Sequence, residues 1–218
     1  MKRAAGILAL SLGVGWFAAP IGAQHARLFP PESLGLLEGP DRDAYQRPDQ
    51  IMDALQIGEN SVVADLGAGG GWFTVRLAIR VRGPNGRVYA EDVQPEMVQA
   101  IERRLKREAL TNVTTVLGTQ TDAKLPAGKL DAVLVVDTYH EMEQPVVLLR
   151  NVAKSLKPNG LLGIINYKKD GGGPGPAMEE RVDPEQVIRA AAAAGLELKK
   201  RENFLRYQYL LTFGLPSK

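Results

Sequence analysis

Short apolar segments alternate five times with amphipathic segments of helical period between residues 48 and 195, and this alternation limits the fold more than any other feature. The segment LDAVLVVD, residues 130–137, is too apolar to expose either face of a strand to water. A sheet that contains such a strand needs helices on both faces. The pattern therefore predicts an α/β fold with a doubly wound, mostly parallel sheet.

The predicted elements follow one another with little space between them. The five strand patterns are SVVADL, RVYAED, NVTTVL, LDAVLVVD and LLGIINY, and the helix patterns cover residues 48–55, 72–81, 95–108, 144–156 and 184–194. Two more strand patterns, 198–205 and 207–213, are joined too tightly for a crossover helix, so they must be antiparallel. We expect a Rossmann-like sheet of seven strands that ends in an antiparallel C-terminal hairpin.

Composition excludes several classes of protein. A chain of 218 residues with 44% hydrophobic and 24% charged residues suits one globular domain. The absence of cysteine excludes a disulfide framework, a thiolate zinc site and a cysteine nucleophile. Only two histidines are present, and one of them, His25, precedes the predicted domain, so we expect no metal site.

The first 23 residues have the features of a secretory signal peptide. Lys2 and Arg3 precede an apolar stretch over residues 4–19, and Ile21 and Ala23 suit cleavage before Gln24. The alternative is an uncleaved membrane anchor, although the 16 apolar residues fall short of the ~20 that span a bilayer. We expect an extracytoplasmic, periplasmic protein.

The remaining chain has balanced charge. Without Lys2 and Arg3, the 27 basic residues become 25 and equal the 25 acidic residues. This balance gives no indication of nucleic-acid binding. Residues 24–47, rich in proline and without sustained periodicity, are expected to form an extended N-terminal arm, and residues 48–218 the single folded domain.

A glycine-rich turn follows the first predicted strand, at the sheet edge where doubly wound folds bind ligands. Asp65 is the last acid of that strand, and Gly67, Gly69 and Gly71 follow it. Glycines there permit positive φ and close approach of a ligand, and the next helix offers free N–H groups. The NAD-binding pattern GxGxxG would require glycine at position 72, where Trp72 stands.

An acidic pair ends the second predicted strand. Asp92 lies 27 positions after Asp65, where a carboxylate can accept both hydroxyls of a ribose. Glu91 is the rival acid, but side chains alternate along a strand, so the two acids point to opposite sides. The alternative is that Asp92 only caps the next helix.

These segments resemble the class I S-adenosylmethionine-dependent methyltransferases. Five segments, RDAYQRPD, DLGAGGGWFT, VYAEDVQPEM, YHE and LKPNG, look like those of a secreted or membrane-associated bacterial group within that family, distantly similar to quinone C-methyltransferases and arsenite methyltransferases. The resemblance implies that Asp92 binds the ribose, that Val93 lies against the adenine and that Asp122 binds the adenine amino group. Arsenite methylation depends on cysteine thiolates, which this chain lacks.

Residues 137–141, DTYHE, follow the fourth strand, where the resemblance places the methyl group and its acceptor. We expect Asp137 beside the sulfonium of the cofactor. His140 is the predicted general base, because a neutral imidazole can accept a proton near pH 7. Glu141 would orient it, and Tyr139 completes the predicted catalytic set. The alternative is that His140 caps the following helix and Glu141 is solvated.

The sequence thus predicts methyl transfer from S-adenosylmethionine to an unidentified small molecule. The alternatives are a noncatalytic extracytoplasmic protein that binds a nucleoside-type ligand, and an NAD-linked oxidoreductase. Export conflicts with the cytosolic supply of S-adenosylmethionine, and the sequence does not resolve that conflict. Peripheral membrane contact and oligomeric state stay open. Tyr45 and Gln46 are expected to form a lid, whereas Arg42 and Arg47 could be paired surface charges.

Overall fold

A computed structural model describes residues 27–217 of the chain. The predicted signal peptide, residues 1–23, lies outside the described residues. The seven strands are β1 (Val62–Leu66), β2 (Arg87–Asp92), β3 (Val113–Leu117), β4 (Leu130–Val136), β5 (Leu156–Tyr167), β6 (Glu197–Glu202) and β7 (Gln208–Gly214). The helices are α1 (Arg42–Gln46), α2 (Pro48–Ala54), α3 (Trp72–Arg80), α4 (Pro95–Arg107), α5 (Pro145–Ser155) and α6 (Pro184–Ala193).

The seven strands form one sheet in the order β3-β2-β1-β4-β5-β7-β6. Strands β1 to β5 pair in parallel, and β7 lies antiparallel between β5 and β6. This arrangement confirms the predicted fold class. The winding reverses between β1 and β4, so the chain leaves the carboxyl ends of these neighbouring strands in opposite directions.

Alternate side chains of β4 explain why its sequence is apolar throughout. Val133 and Val135 belong to the core that α5 and α6 cover, whereas Leu134 and Val136 belong to the core that α2 and α3 cover on the other face. Helix α4 buries a stripe at the spacing the sequence predicts, formed by Met97, Ile101 and Leu105. The sheet is thus covered on both faces, and its ligand-binding edge is the carboxyl end of the parallel strands.

Strand β5 begins earlier than the sequence predicts. It starts at Leu156, directly after α5, whereas the predicted strand starts at residue 161. Leu130 pairs with Leu156, but Ala132 pairs with Leu161, so the intervening KPNG segment bulges out of register. Proline and glycine favour such a bulge in place of the expected loop.

The N-terminal arm is not the extended segment that the sequence predicts. Residues Pro31–Glu38 form a 3₁₀ helix, and α1 follows it. Glu38 pairs with Arg104 of α4, and Asp43 pairs with Arg76 of α3 at 2.7 Å. Contacts with the rest of the domain determine the structure of this segment. Local periodicity therefore did not predict its helices. Between residues 27 and 217, no helix has both the length and the apolar character needed to cross a membrane.

Candidate active site

A cavity of about 710 Å³ opens at the carboxyl ends of β1, β2 and β4. Its wall is lined by eight of the predicted site residues, namely Asp65, Gly67, Gly69, Asp92, Val93, Asp137, His140 and Glu141. The N-terminal arm supplies part of the wall through Phe29, Leu37 and Tyr45. The doubly wound topology thus brings together side chains from segments far apart in the sequence.

The glycine turn has the backbone conformation that the sequence predicts. Gly67, Gly69 and Gly71 have φ values of 71°, 56° and 77°. A side chain at Gly67 would also collide with Thr138, because a Cβ atom there would lie 2.2 Å from its methyl carbon. Thr138 Oγ1 donates to the Gly67 carbonyl at 3.2 Å. Gly71 lies outside the cavity wall and immediately precedes α3.

Asp65 lies within β1 and contacts the helix that follows the glycine turn. Its Oδ2 accepts a hydrogen bond of 2.6 Å from the hydroxyl of Thr74 on α3. Burial raises the pKa of Asp65 to about 6, although this hydrogen bond opposes the shift. The carboxylate therefore ties the first strand to the helix that follows the glycine turn.

Asp92 connects the glycine turn to the loop after β2. Its Oδ2 accepts from the Gly69 amide and its Oδ1 from the Gln94 amide, both at 2.9 Å. Gln94 is the residue before α4, and no side chain caps that helix. Asp92 therefore does not bind the first turn of α4. Burial raises the pKa of Asp92 above its usual value.

Glu91, the rival acid, is also buried at this edge. Its Oε2 lies 3.4 Å from the Gly67 amide, and its Oε1 packs against Gly118 without a hydrogen-bond partner among the described residues. Burial raises the pKa of Glu91 to about 8. The chain therefore holds two adjacent acids, of which Asp92 makes the stronger contacts to the turn.

Asp137 follows β4 in a backbone conformation unusual for aspartate, with φ at 55°. Both of its carboxylate oxygens accept from Gln208 Nε2 at 2.8 Å. Residues held in such conformations cluster at functional sites. Burial raises the pKa of Asp137 to about 6, against the opposing charge of Arg42.

His140 and Glu141 reach the cavity from a 3₁₀ turn, Tyr139–Glu141. Burial lowers the pKa of His140 below its usual value, so the imidazole is neutral at pH 7. Its Nε2 lies 3.8 Å from Glu141 Oε1, which is beyond hydrogen-bond distance. Glu141 instead accepts from the Phe29 amide at 2.9 Å, and burial raises the pKa of Glu141 to about 7.

The alternative interpretation of these two residues does not match the structure. Helix α5 begins at Pro145 without a side-chain cap, so His140 caps no helix there. Glu141 is not solvated, since only 15% of its side chain is exposed. Both residues belong to the cavity wall.

Besides Gly71, two predicted residues do not line the cavity. Tyr139 is 1% exposed and packs into the core that α5 covers, because successive side chains of a 3₁₀ turn point about 120° apart. Asp122 is exposed, and its carboxylate accepts from the Lys124 amide at 2.8 Å in a local turn. Its neighbour Gln120 lines the cavity instead.

Sequence reasoning missed the polar residues that depend on distant partners. Gln208 binds Asp137 from β7, and Gln94 Nε2 donates to the Phe29 carbonyl at 3.0 Å. Trp72 lines the cavity, with the guanidinium of Arg42 4.2 Å from its ring centre. Among residues 27–217, no group of three or more histidine or acidic side chains is arranged to hold a metal ion.

The cavity has space and hydrogen-bond acceptors that suit a nucleoside ligand. A Cβ atom at Gly69 would meet only Leu37, at 3.6 Å, so the turn leaves space above its backbone. Asp92 accepts two hydrogen bonds, and a carboxylate has about four lone-pair sites. Two more donors, such as the hydroxyls of a ribose, can therefore bind it.

Comparison with known proteins agrees with this geometry. Residues 63–160 match the family described as "Methyltransferase domain". A "Probable cobalt-precorrin-6B C(15)-methyltransferase (decarboxylating)" of Methanothermobacter thermautotrophicus is 36% identical over 111 residues, which are 50% of this chain and 54% of that protein. An uncharacterized methyltransferase of Mycobacterium bovis is 35% identical over 132 residues, 58% of this chain and 50% of that protein.

The chain spans about half the length of these curated relatives. The crystal structure of a SAM dependent methyltransferase from Aquifex aeolicus superimposes with a TM-score of 0.81 at 27% identity, covering 85% of this chain and 98% of that one. Residues 63–160 thus match a methyltransferase domain, and the fold is that of the class I S-adenosylmethionine-dependent methyltransferases.

Proposed function

We propose that the protein transfers a methyl group from S-adenosylmethionine to a small-molecule acceptor. One observation carries the proposal: a single cavity of about 710 Å³ joins the glycine turn and Asp92 to His140. Cavities of this size enclose small-molecule ligands. The matched methyltransferase domain and the similar Aquifex aeolicus structure support the cofactor, and the shared cavity supports an acceptor bound beside it.

The cofactor end of the cavity is the glycine turn with Asp92 and Val93. The turn admits a ligand close to its backbone, and the free lone pairs of Asp92 suit ribose hydroxyls. When bound, S-adenosylmethionine supplies an electrophilic methyl group on a positive sulfonium. Asp65 holds the turn in place from β1 through Thr74.

The acceptor end is the wall around His140. Its lowered pKa makes the imidazole a neutral base at pH 7, able to take a proton from an acceptor hydroxyl or amine. Phe29, Met142 and Tyr167 line the same cavity and provide apolar surface. Positioning by this wall and proton removal by His140 are the chain's two contributions to the chemistry.

The apolar surface supports a more specific proposal about the acceptor. We propose that the protein belongs to the secreted or membrane-associated group that its segments resemble. We also propose that its acceptor is a phenol or a quinol. Leu36, 80% exposed, lies at the cavity wall from the arm and suits peripheral contact with a membrane that holds such acceptors. Residues 1–23 would direct the protein out of the cytosol, so its cofactor would have to cross the membrane.

Methyl-labelled S-adenosylmethionine tests the proposal. The full chain is incubated with a panel of quinols, phenols and small amines, and label in the product is counted. We expect transfer to a quinol or phenol, and His140→Ala should lower the rate by ~10²–10⁴-fold while cofactor affinity stays unchanged. The exposed Glu143→Gln, which lies outside the cavity wall, is the matched control.

Two outcomes would count against parts of the proposal. Cofactor binding without transfer to any panel member would favour the noncatalytic alternative. Full turnover in His140→Ala from pH 6 to pH 9 would show that the enzyme works by positioning alone.

A further inference from the structure

Four buried or half-buried side chains form a relay of hydrogen bonds beneath the cavity. Arg42 Nε donates to Gln46 Oε1 at 3.1 Å, and Gln46 Nε2 donates to Gln208 Oε1 at 3.2 Å. Gln208 Nε2 then donates to both oxygens of Asp137 at 2.8 Å. Gln46 and Gln208 are fully buried, so water does not compete for these bonds.

The two ends of the relay fix its direction. A guanidinium can only donate hydrogen bonds, and a carboxylate can only accept them. Each amide between them must therefore turn its oxygen toward Arg42 and its NH₂ group toward Asp137. Reversing either amide would bring two donors or two acceptors together in a buried place, where an unmade hydrogen bond is costly.

We propose that Gln46 and Gln208 are positioning residues that keep the Asp137 carboxylate ionised and aimed at the positive sulfonium of the cofactor. The inference rests on the proposed function, since it assigns Asp137 to that cofactor. Neither glutamine lines the cavity, so both act through Asp137. The relay also joins three separate parts of the fold, the arm, β7 and the end of β4.

The surroundings of Asp137 show why its carboxylate needs these hydrogen bonds to stay ionised. Burial alone favours the neutral acid, whereas Arg42, Gln208 and Gln46 favour the anion and leave the pKa at about 6. The charged and titratable groups that act with or on Asp137 are Arg42, Arg181, Glu141, Tyr167 and Tyr209. Burial raises the pKa of both tyrosines, so they stay neutral, and Glu141 is the one group among these that titrates near Asp137.

The relay predicts a charge-dependent choice between two ligands. S-adenosylmethionine carries the sulfonium charge, and S-adenosylhomocysteine does not. Titration calorimetry of both ligands from pH 5 to pH 8 should show the ratio of their affinities shifting toward S-adenosylmethionine by about tenfold as Asp137 ionises. Glu141→Gln removes the neighbouring ionisation, so the rise that remains in this variant belongs to Asp137.

Two substitutions at one position test the relay itself. Gln208→Leu removes the donor, so the affinity ratio should lose most of its rise below pH 8. Gln208→Glu places a carboxyl against Asp137 that can donate only when protonated, so the two carboxyls should titrate in two steps. The rise in S-adenosylmethionine affinity should then split, with its second step at a higher pH than the single native rise. A purely structural role would not split the pH profile.

Thr212→Val is the matched control. Thr212 lies on the same strand as Gln208, is buried, and its hydroxyl has no hydrogen-bond partner among the described residues. This variant should keep the native ratio at every pH. A folded Gln208→Leu with the same ratio and profile as Thr212→Val would overturn the inference.

Carbon-13 NMR of the aspartate carboxyls in the ligand-free protein separates this inference from the proposed function. The Asp137 titration should move at least one pH unit upward in Gln208→Leu, whether or not either ligand binds. An unchanged titration would overturn the relay, whereas a shifted titration without ligand binding would overturn the proposed function alone. If Gln208→Leu does not fold, Gln46→Leu takes its place and should move the Asp137 titration to higher pH. An unchanged Asp137 titration in Gln46→Leu would overturn the relay.

Discussion

Gly67 is the residue at which the glycine turn meets the end of β4. Its positive φ and its close approach to Thr138 both exclude a side chain. Gly67→Ala should therefore destabilise the fold by about 2–4 kcal/mol, from backbone strain together with a clash. Urea unfolding of the purified variant measures the loss.

Gly128→Ala is the matched control for that prediction. Gly128 has a φ of 64°, but a Cβ atom there would meet nothing within 4 Å. Only the backbone strain then applies, so we expect a cost of about 1 kcal/mol. Equal losses for the two variants would show that Thr138 does not confine Gly67.

Glu91 makes the stability of the native protein depend on pH. Its pKa is raised from 4.5 to about 8, so the folded state holds a proton that the unfolded state releases. Stability should fall as the pH rises from about 4.5 through about 8. Glu91→Gln removes this ionisation, so its stability relative to the native protein should rise by about 2–4 kcal/mol between pH 5 and pH 9.

Chemical denaturation at the two pH values tests this prediction. Glu59→Gln, at an exposed position before β1, is the control and should leave the pH dependence unchanged. A native protein and a Glu91→Gln variant with parallel pH profiles would mean that Glu91 is not buried as a neutral acid.

At the scale of elements, Arg181 organises the loop between β5 and α6. Its guanidinium donates to the carbonyls of Lys168, Gly172, Pro174 and Pro176 at 3.0–3.2 Å. The same group lies 5.2 Å from the ring centre of Tyr167. One buried side chain thus shapes the loop that supplies part of the cavity wall.

Arg181→Lys should loosen this loop, because an ammonium cannot reproduce the planar set of donors. We expect amide hydrogen exchange over residues 168–180 to become at least tenfold faster, with the sheet unaffected. The exposed Arg189→Lys on α6 serves as the control. Unchanged exchange in the loop would assign its order to other contacts.

Local periodicity was sufficient to predict the strands, most helix boundaries and the antiparallel end of the sheet. It also predicted the positions of the glycine turn, which follows β1, and of Asp92, which ends β2. The sequence could not reveal the folded arm, because its order comes from partners such as Arg76 and Arg104 on other elements. The relay was equally hidden, since Gln46 and Gln208 are 162 positions apart.

Tyr139 and Asp122 show where reasoning from position fails. Both follow strands at the correct edge, but a side chain's direction depends on the local turn. The 3₁₀ turn sends Tyr139 into the core, and a local turn engages the carboxylate of Asp122. Placement after a strand therefore predicts proximity to a site without predicting contact.

At the scale of the whole molecule, the reversal of winding between β1 and β4 creates the cavity. The arm then closes one side of it, with the Phe29 backbone held by Glu141 and Gln94 from two different loops. The sheet thus provides the rigid edge, and the connecting segments provide the chemistry.

Export is a prediction about the whole chain. Lys2, Arg3 and the apolar stretch that follows predict cleavage before Gln24. Intact-mass measurement of protein purified from the cell envelope should give a chain that begins at Gln24. A chain that begins at Met1 would support the membrane anchor instead.

The central claim is that Asp92 and the glycine turn form a site for the S-adenosyl group. Titration calorimetry with S-adenosylhomocysteine and NAD tests it most directly, with Asp122→Ala as the matched exposed control for Asp92→Ala. We predict that the native protein and Asp122→Ala bind S-adenosylhomocysteine equally, that Asp92→Ala binds it at least about tenfold more weakly, and that NAD does not bind. A folded Asp92→Ala with native affinity, or a native protein that binds only NAD, would contradict the account.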